Sequence, residues 1–244
     1  QRAKDLDIGI QIHVSETADQ VSLSINEYGI TPIRMLEETG ILDVPVVLGH
    51  GLYPTDEDIN LLSGRRTGVA HAPKTYLKLG LGTAPLYKYI NAGIPIGLAT
   101  DGGVSSNSLD ILEQLRLMAL TQKHAAKDST VMPVDAALQI AFEGSAQVLH
   151  SSDDLGKIDV GMLADIVLIR QDGLQVFPRF NPAANLIYSS RPTDIDTVIC
   201  NGKILMKNRI LQTIDKQKIK EEVSARLTRL SKIVPGQRVA TYPT

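Results

Sequence analysis

Five polar residues stand where apolar runs stop. His13 closes "IGIQIH" and Glu16 follows it by three positions; His50 ends "VPVVLGH", His71 sits in "TGVAHAP" and Asp101 in "IPIGLATDGG". A buried strand has no packing reason to finish in an imidazole or a carboxylate. Imidazole and carboxylate are, however, the donor types of a metal centre that assists hydrolysis, which also needs a nearby carboxylate to move protons. Glu16, just beyond the end of its strand, suits that last role. One histidine alone is more often a packed core residue than a ligand. Three at the ends of successive strands, joined by an aspartate, shift the balance toward a site. The other two histidines, His124 near the end of a helix and His150 before a change of texture, fall outside the pattern.

The elements that must hold these groups follow from periodicity. Strands are predicted at 8–15, 44–50, 67–73 and 94–103, each a nearly continuous apolar run. Between and after them, helical patterns cover 24–40 with Gly40 as a stop, 54–62 with Thr55 as N-cap, 83–93 stopped by Gly93, and 107–124. In the last of these Leu109, Leu112, Leu115 and Met118 recur at a spacing of three, one buried stripe, with Asn107 and Ser108 as the expected caps. Arg116 is expected to form structural ion pairs. A further helix is predicted over 131–149. Apolar strands alternating with helices mean a parallel α/β sheet, whose sites form at the carboxyl ends of the strands. Only four such units can be counted, against the eight of a closed (β/α)8 barrel.

After residue 153 the texture becomes β-rich. "LGKIDVGMLADIVLIR" (155–170) is expected to turn at Val160-Gly161, with Asp165 fixing a turn, and "DTVICNGKILMKNRIL" (196–211) reads as a hairpin, because Asn201-Gly202 suits a type I′ turn. A terminal helix is predicted over 215–234, with Ile219, Val223, Leu227 and Leu230 on one face. The expected division is 1–152, 153–212 and 213–244.

Bulk composition excludes more than it proposes. The 244 residues are 43% hydrophobic, enough for a sizeable core, and 25 basic against 27 acidic residues give a net charge of −2. That balance does not favour nucleic acid or an anionic membrane as a partner. No uncharged apolar stretch reaches the roughly 18 residues of a membrane span, and "QRAKDLDIG" does not read as a signal peptide. Cys200 is the single cysteine, so a reducing, cytoplasmic setting is expected.

At this point the motifs converge on a known pattern. "HVSE" (13–16), "GHG" (49–51), "VAHAPKTYLKLG" (69–80), "GTAPL" (82–86) and "LATDGGVSSNSLDILEQLRL" (98–117) resemble the amidohydrolase superfamily. The branch they resemble is the chlorohydrolase/deaminase group that contains methylthioadenosine/S-adenosylhomocysteine deaminases. "LGKIDVGMLADIVLI" is similar to that family's return into a small β-sandwich. The resemblance implies the second half of a (β/α)8 TIM-type barrel followed by part of that sandwich and a C-terminal helix. It implies His13 and Asp101 as metal ligands, with zinc the expected divalent metal and iron the other candidate. Glu16 corresponds to the proton shuttle, His50 to the residue that steadies the tetrahedral intermediate, and Asp101 also to a hydrogen-bond partner of the attacking water. His71 either lines the substrate pocket or packs the strand end. The implied reaction is hydrolytic deamination of an amino-heterocycle, such as a purine nucleoside derivative. The implied partner is a small molecule, and a homo-oligomer fits the picture.

Three departures qualify the resemblance. The family's first-strand H-x-H ligand pair has no counterpart among the five histidines here. Gly51 stands where the family often has cysteine. "HAPKTY" replaces the frequent H-N-P-x-S-N, which puts Ala72, Lys74 and Tyr76 at altered positions. Two other readings therefore stay open: hydrolysis of another leaving group, chloride or an amidine, and a non-catalytic relative or fragment.

Overall fold

A computed structural model describes residues 2–233. Four strands, β1 (Ile10–Val14), β2 (Val46–His50), β3 (Thr67–His71) and β4 (Ile96–Leu98), form a parallel sheet in that order. The predicted α/β class with a parallel sheet is what the chain adopts. Register divides the sheet into two unlike faces. Ile12, Leu48, Val69 and Ile96 are cross-strand partners, and the last three are buried to 3% exposure or less. The adjacent row is His13, Gly49, Ala70 and Gly97, small everywhere except at the histidine. One face therefore carries the aliphatic core against the helices, and the other leaves space.

That space is used. A Cβ on Gly49 would lie 2.5 Å from His13 Cδ2, so the imidazole of β1 lies over a glycine of β2. Further along the same face Gly68 lets Val148 approach and Gly97 lets Ser145 approach. The segment that makes these approaches is the predicted 131–149 helix. It is helical from Val134 to Val148, with a π-turn at Ile140–Gly144. Gly144 has no room for a side chain, since a Cβ would meet the Ile96 carbonyl oxygen at 2.2 Å. A π-turn is a common local answer where a helix must pack this closely.

Several boundaries move from their predicted places for local reasons. The helix expected over 24–40 is two helices, Ala18–Tyr28 capped by Thr17 and Pro32–Glu38 capped by Thr31, broken at Gly29 in the left-handed region (φ 77°). Thr55 caps Asp56–Leu62 through a full capping box with Asp58, as predicted. The long helix begins later than expected, at Ile111. Its cap is Asp110, whose Oδ1 accepts from Leu112 and Glu113 N–H, rather than Asn107 or Ser108. Leu109 precedes it and is 74% exposed, so the buried stripe is Leu112, Leu115 and Met118 alone. Among the described residues Arg116 is in no ion pair; its guanidinium donates to the Ile187 and Ser190 carbonyls, which fastens the helix Pro182–Tyr188. His124 is exposed. A helix at Pro73–Leu79 was not anticipated, although Pro73 at its first turn is a signal for one.

The second sheet is antiparallel: β5 (Ile166–Ile169), β6 (Ile195–Cys200), β7 (Lys203–Lys207) and β8 (Ile210–Leu211). The β6–β7 hairpin turns at Asn201 and Gly202 with φ of 45° and 74°, as its sequence predicts. Asp165 holds that turn, its carboxylate accepting from Asn201 N–H at 2.6 Å. The strand content expected from residue 155 starts only at Ile166; Ile158 and Val160 are almost fully exposed. The last helix is Lys216–Ile233, with Ile219, Val223 and Leu227 exposed. Residue 234 and the predicted side-chain position of Leu230 lie outside the described residues. Among the described residues no helix is long and apolar enough to cross a membrane.

Candidate active site

The strand ends place the candidate side chains by a shared backbone device. Ser15, His50 and Asp101 all adopt positive φ (50°, 76° and 58°), which L residues with side chains adopt rarely and at a cost of about 1 kcal/mol or more. At these positions the chain bends away from the direction of its strand. The bends are held by backbone bonds between neighbouring strands: Gly51 N–H donates to the Val14 carbonyl, and Leu52 and Tyr53 N–H both donate to the Ser15 carbonyl.

His13 and His50 are thereby brought together, with ring centroids 4.8 Å apart. Glu16 reaches the same place from beyond β1, its Oε2 lying 3.8 Å from His50 Nε2. His50 is 4% exposed, whereas the Glu16 side chain is one-third exposed. Burial is the main influence on His50 and lowers its pKa; Glu16 and Asp101 oppose this and His13 adds to it. Asp101 thus acts on the same imidazole from the end of β4. Burial tends to raise the Asp101 pKa, but the Gly102 N–H, the Thr75 and Ser105 hydroxyls and His50 outweigh it and hold the carboxyl below its usual range. Asp101 Oδ1 accepts from Gly102 N–H at 2.6 Å. Four of the five residues singled out from the sequence therefore bear on one point, the buried imidazole of His50.

His71 behaves differently. It is 1% exposed, and burial lowers its pKa to about 3, so the ring is neutral at ordinary pH. Among the described residues neither ring nitrogen has a hydrogen-bond partner. Its neighbour is Tyr76, at 5.3 Å between ring centroids, and with Tyr76 it borders a small cavity that includes Leu77, Gly82, Thr83 and Thr121.

Two tyrosines lie behind the site: Tyr76, noted in the sequence only as a motif departure, and Tyr89, which the sequence did not bring forward. Tyr76 and Tyr89 are almost completely buried. The Tyr76 hydroxyl accepts from Ala72 N–H at 2.9 Å, and the Tyr89 hydroxyl donates to the Gly51 carbonyl at 2.8 Å. Burial raises both phenol pKa values and keeps them protonated. The signal was present in the motif departures. Gly51 has no room for a side chain, since a Cβ there would lie 2.6 Å from the Tyr89 hydroxyl. At the mouth Lys74 bridges Ser108 (2.9 Å) and Glu113 (2.6 Å), tying the loop after β4 to the start of the helix after β3.

Residues 1–205 match the amidohydrolase family. The chain belongs to that family. It is 38% identical over 93% of its length to a 5-methylthioadenosine/S-adenosylhomocysteine deaminase of Desulforudis audaxviator, of which it covers 53%. The same identity, over 95% of the chain and 54% of the relative, holds for the enzyme of that name from Dictyoglomus thermophilum. Among solved structures, a zinc-bound adenosine deaminase from Xanthomonas campestris superposes with a TM-score of 0.90 at 28% identity, covering 95% of this chain and 53% of that one. Atrazine chlorohydrolase TrzN from Arthrobacter aurescens TC1, complexed with zinc, superposes at 0.85 with 32% identity over 92% and 50%. The chain thus spans about half the length of the relatives it matches.

Proposed function

We propose that the protein is a metal-dependent hydrolase that deaminates an amino-heterocycle, a purine nucleoside derivative being the substrate class favoured by its relatives. The observation that carries this reading is the meeting of His13, Glu16 and His50 at one strand-end mouth, with Asp101 acting on the same histidine. On this reading the four parallel strands are the second half of a (β/α)8 barrel and the antiparallel sheet is part of a small sandwich. Residues 1–152, 153–212 and 213–244 are its barrel, sandwich and terminal portions.

His13 and Asp101 fit two places in a divalent-metal site, and zinc is bound in structures of the neighbours. Their donor types are right, and His13 is open on one side rather than packed away. They do not complete such a site, because no group of three His, Cys, Asp or Glu among the described residues is placed to hold an ion. Further donors must come from outside them. When bound, a divalent metal supplies the Lewis acidity that lowers the pKa of water toward about 7. The residues here do the rest. Glu16, partly exposed, takes a proton from the attacking water and returns it to the ring nitrogen of the substrate. His50, buried and oriented, faces Glu16 and steadies the charge that develops on the attacked carbon's new oxygen. Asp101, kept ionised, accepts from the same water.

Ammonia release from aminated purine nucleosides by the full-length gene product, supplied with zinc or iron, tests the reading. Activity abolished in Glu16→Gln supports it, and a metal-loaded protein inert toward all of them sinks it. Removal of chloride is a second reading, favoured by the 0.85 superposition on a chlorohydrolase. Halide against ammonia among the products separates the two.

A further inference from the structure

We infer that Tyr76, backed by Tyr89, is a positioning residue that sets the orientation of the His50 ring. The catalytic part of this inference rests on the hydrolytic role given to His50 above; the geometric part does not.

Hydrogen bonding does not hold His50 among the described residues. Its Nδ1 is buried and has no hydrogen-bond partner among the described residues. Its Nε2 faces Glu16 at 3.8 Å, beyond hydrogen-bonding distance. An imidazole used in catalysis must nevertheless be fixed to within a fraction of an ångström. What remains is packing. Tyr76 sets its ring edge-on against His50, with centroids 5.8 Å apart and planes at 66°, in addition to the contact with His13. Edge-to-face pairs of this kind contribute roughly 0.5–1.5 kcal/mol beyond burial and prefer one geometry.

The tyrosine is itself immobilised. Its hydroxyl is bonded to the Ala72 backbone N–H, one residue past His71, and its ring lies 5.3 Å from the His71 ring between centroids. Tyr89 performs the matching task one strand over, bonded to the Gly51 carbonyl, one residue past His50. Each phenol is thus anchored to the backbone just after a strand-end histidine. Gly51 makes room for the second anchor, since a Cβ there would lie 2.6 Å from the Tyr89 hydroxyl.

The test uses the full-length gene product with Tyr76→Leu, Tyr76→Phe and, as a stability control, Leu62→Ala. Leu62 is fully buried and distant in role. Tyr76→Leu is expected to lower kcat by about tenfold or more with KM changed less than about threefold, while Tyr76→Phe, which keeps the ring, recovers kcat to within about threefold. Leu62→Ala lowers the unfolding midpoint without that kcat loss. Through-space proton contacts between the Tyr76 and His50 rings, measured by NMR in the wild type, are expected and do not depend on turnover. Their absence overturns the proposal, even if Tyr76→Leu fails to fold. So does a folded Tyr76→Leu with kcat unchanged within about twofold, or a Tyr76→Phe as impaired as the leucine variant. If the wild type hydrolyses nothing while the ring contact is present, the hydrolase reading falls and the positioning geometry stands.

Discussion

The inner strands β2 and β3 and the outer strands β1 and β4 contribute to one site in opposite ways. His50 and His71, from the inner pair, are buried, backed by Tyr76 and Tyr89, and shifted toward the neutral form by loss of solvent. His13, Glu16 and Asp101, from the outer pair, are partly or largely open to solvent. Buried phenols pack the ends of β2 and β3, Tyr89 bonded just past His50 and Tyr76 just past His71. On the proposed function the difference separates tasks. The histidines so packed are the groups to be held still, and His13, Glu16 and Asp101 are the groups to meet water, a metal or substrate.

The largest effect should come from the open side. Glu16→Gln keeps the shape but removes the proton carrier, and general acid–base contributions are typically 10²- to 10⁴-fold, so kcat of the full-length protein should fall by roughly that much. A loss below about tenfold would place proton transfer elsewhere.

On the buried side, the next effect is one of stability against pH. The folded-state pKa of His71 is about 3, against about 6.5 when unfolded. The neutral ring is favoured in the fold, so the associated stability is complete above about pH 6.5 and is lost as pH falls toward 3. Over that range the loss approaches about 5 kcal/mol. His71→Leu should remove this component, and denaturant titrations of both proteins from pH 7 to pH 4 measure it. Parallel pH profiles for the two would mean that the ring finds water or a partner.

Leu48→Ala should cost about 2–5 kcal/mol, because Leu48 is fully buried in the inner strand and its loss leaves a cavity. Gly49→Ala tests where the two sides meet. Its Cβ would contact His13 Cδ2 at 2.5 Å, so the imidazole must shift. A one-residue overpacking of about 1–3 kcal/mol is expected, with zinc affinity, measured by calorimetry, weakened more than stability. Equal zinc binding in wild type and variant would remove His13 from the ligand set. Smallest of all, Leu23→Ala on a helix surface that is 64% exposed should stay within about 0.5 kcal/mol by thermal unfolding.

The candidate site was legible because its residues break a local rule. His13, His50, His71 and Asp101 end apolar strands, and nothing about packing calls for them there. The hairpin at Asn201-Gly202 was legible for a related reason, since its two positive φ values demand that dipeptide. Errors came where the competing signals were close together. Asn107, Ser108 and Asp110 are all good caps, and only the geometry of the loop after β4 selects Asp110. Leu109 fits the stripe spacing but falls before the helix begins. The helix after β3 was hidden because "HAPKTY" ends a strand and starts a helix within two residues.

By itself the sequence determined the strand-and-helix alternation and the chemical types at the strand ends, because periodicity and donor chemistry are properties of residues and their spacing. Tertiary structure alone decided that Tyr76 and Tyr89 stand behind His50, that Gly49 makes room for His13, and that His71 is sealed from water. Those are relations between atoms distant along the chain, set by strand register and close approach, and no local pattern encodes them.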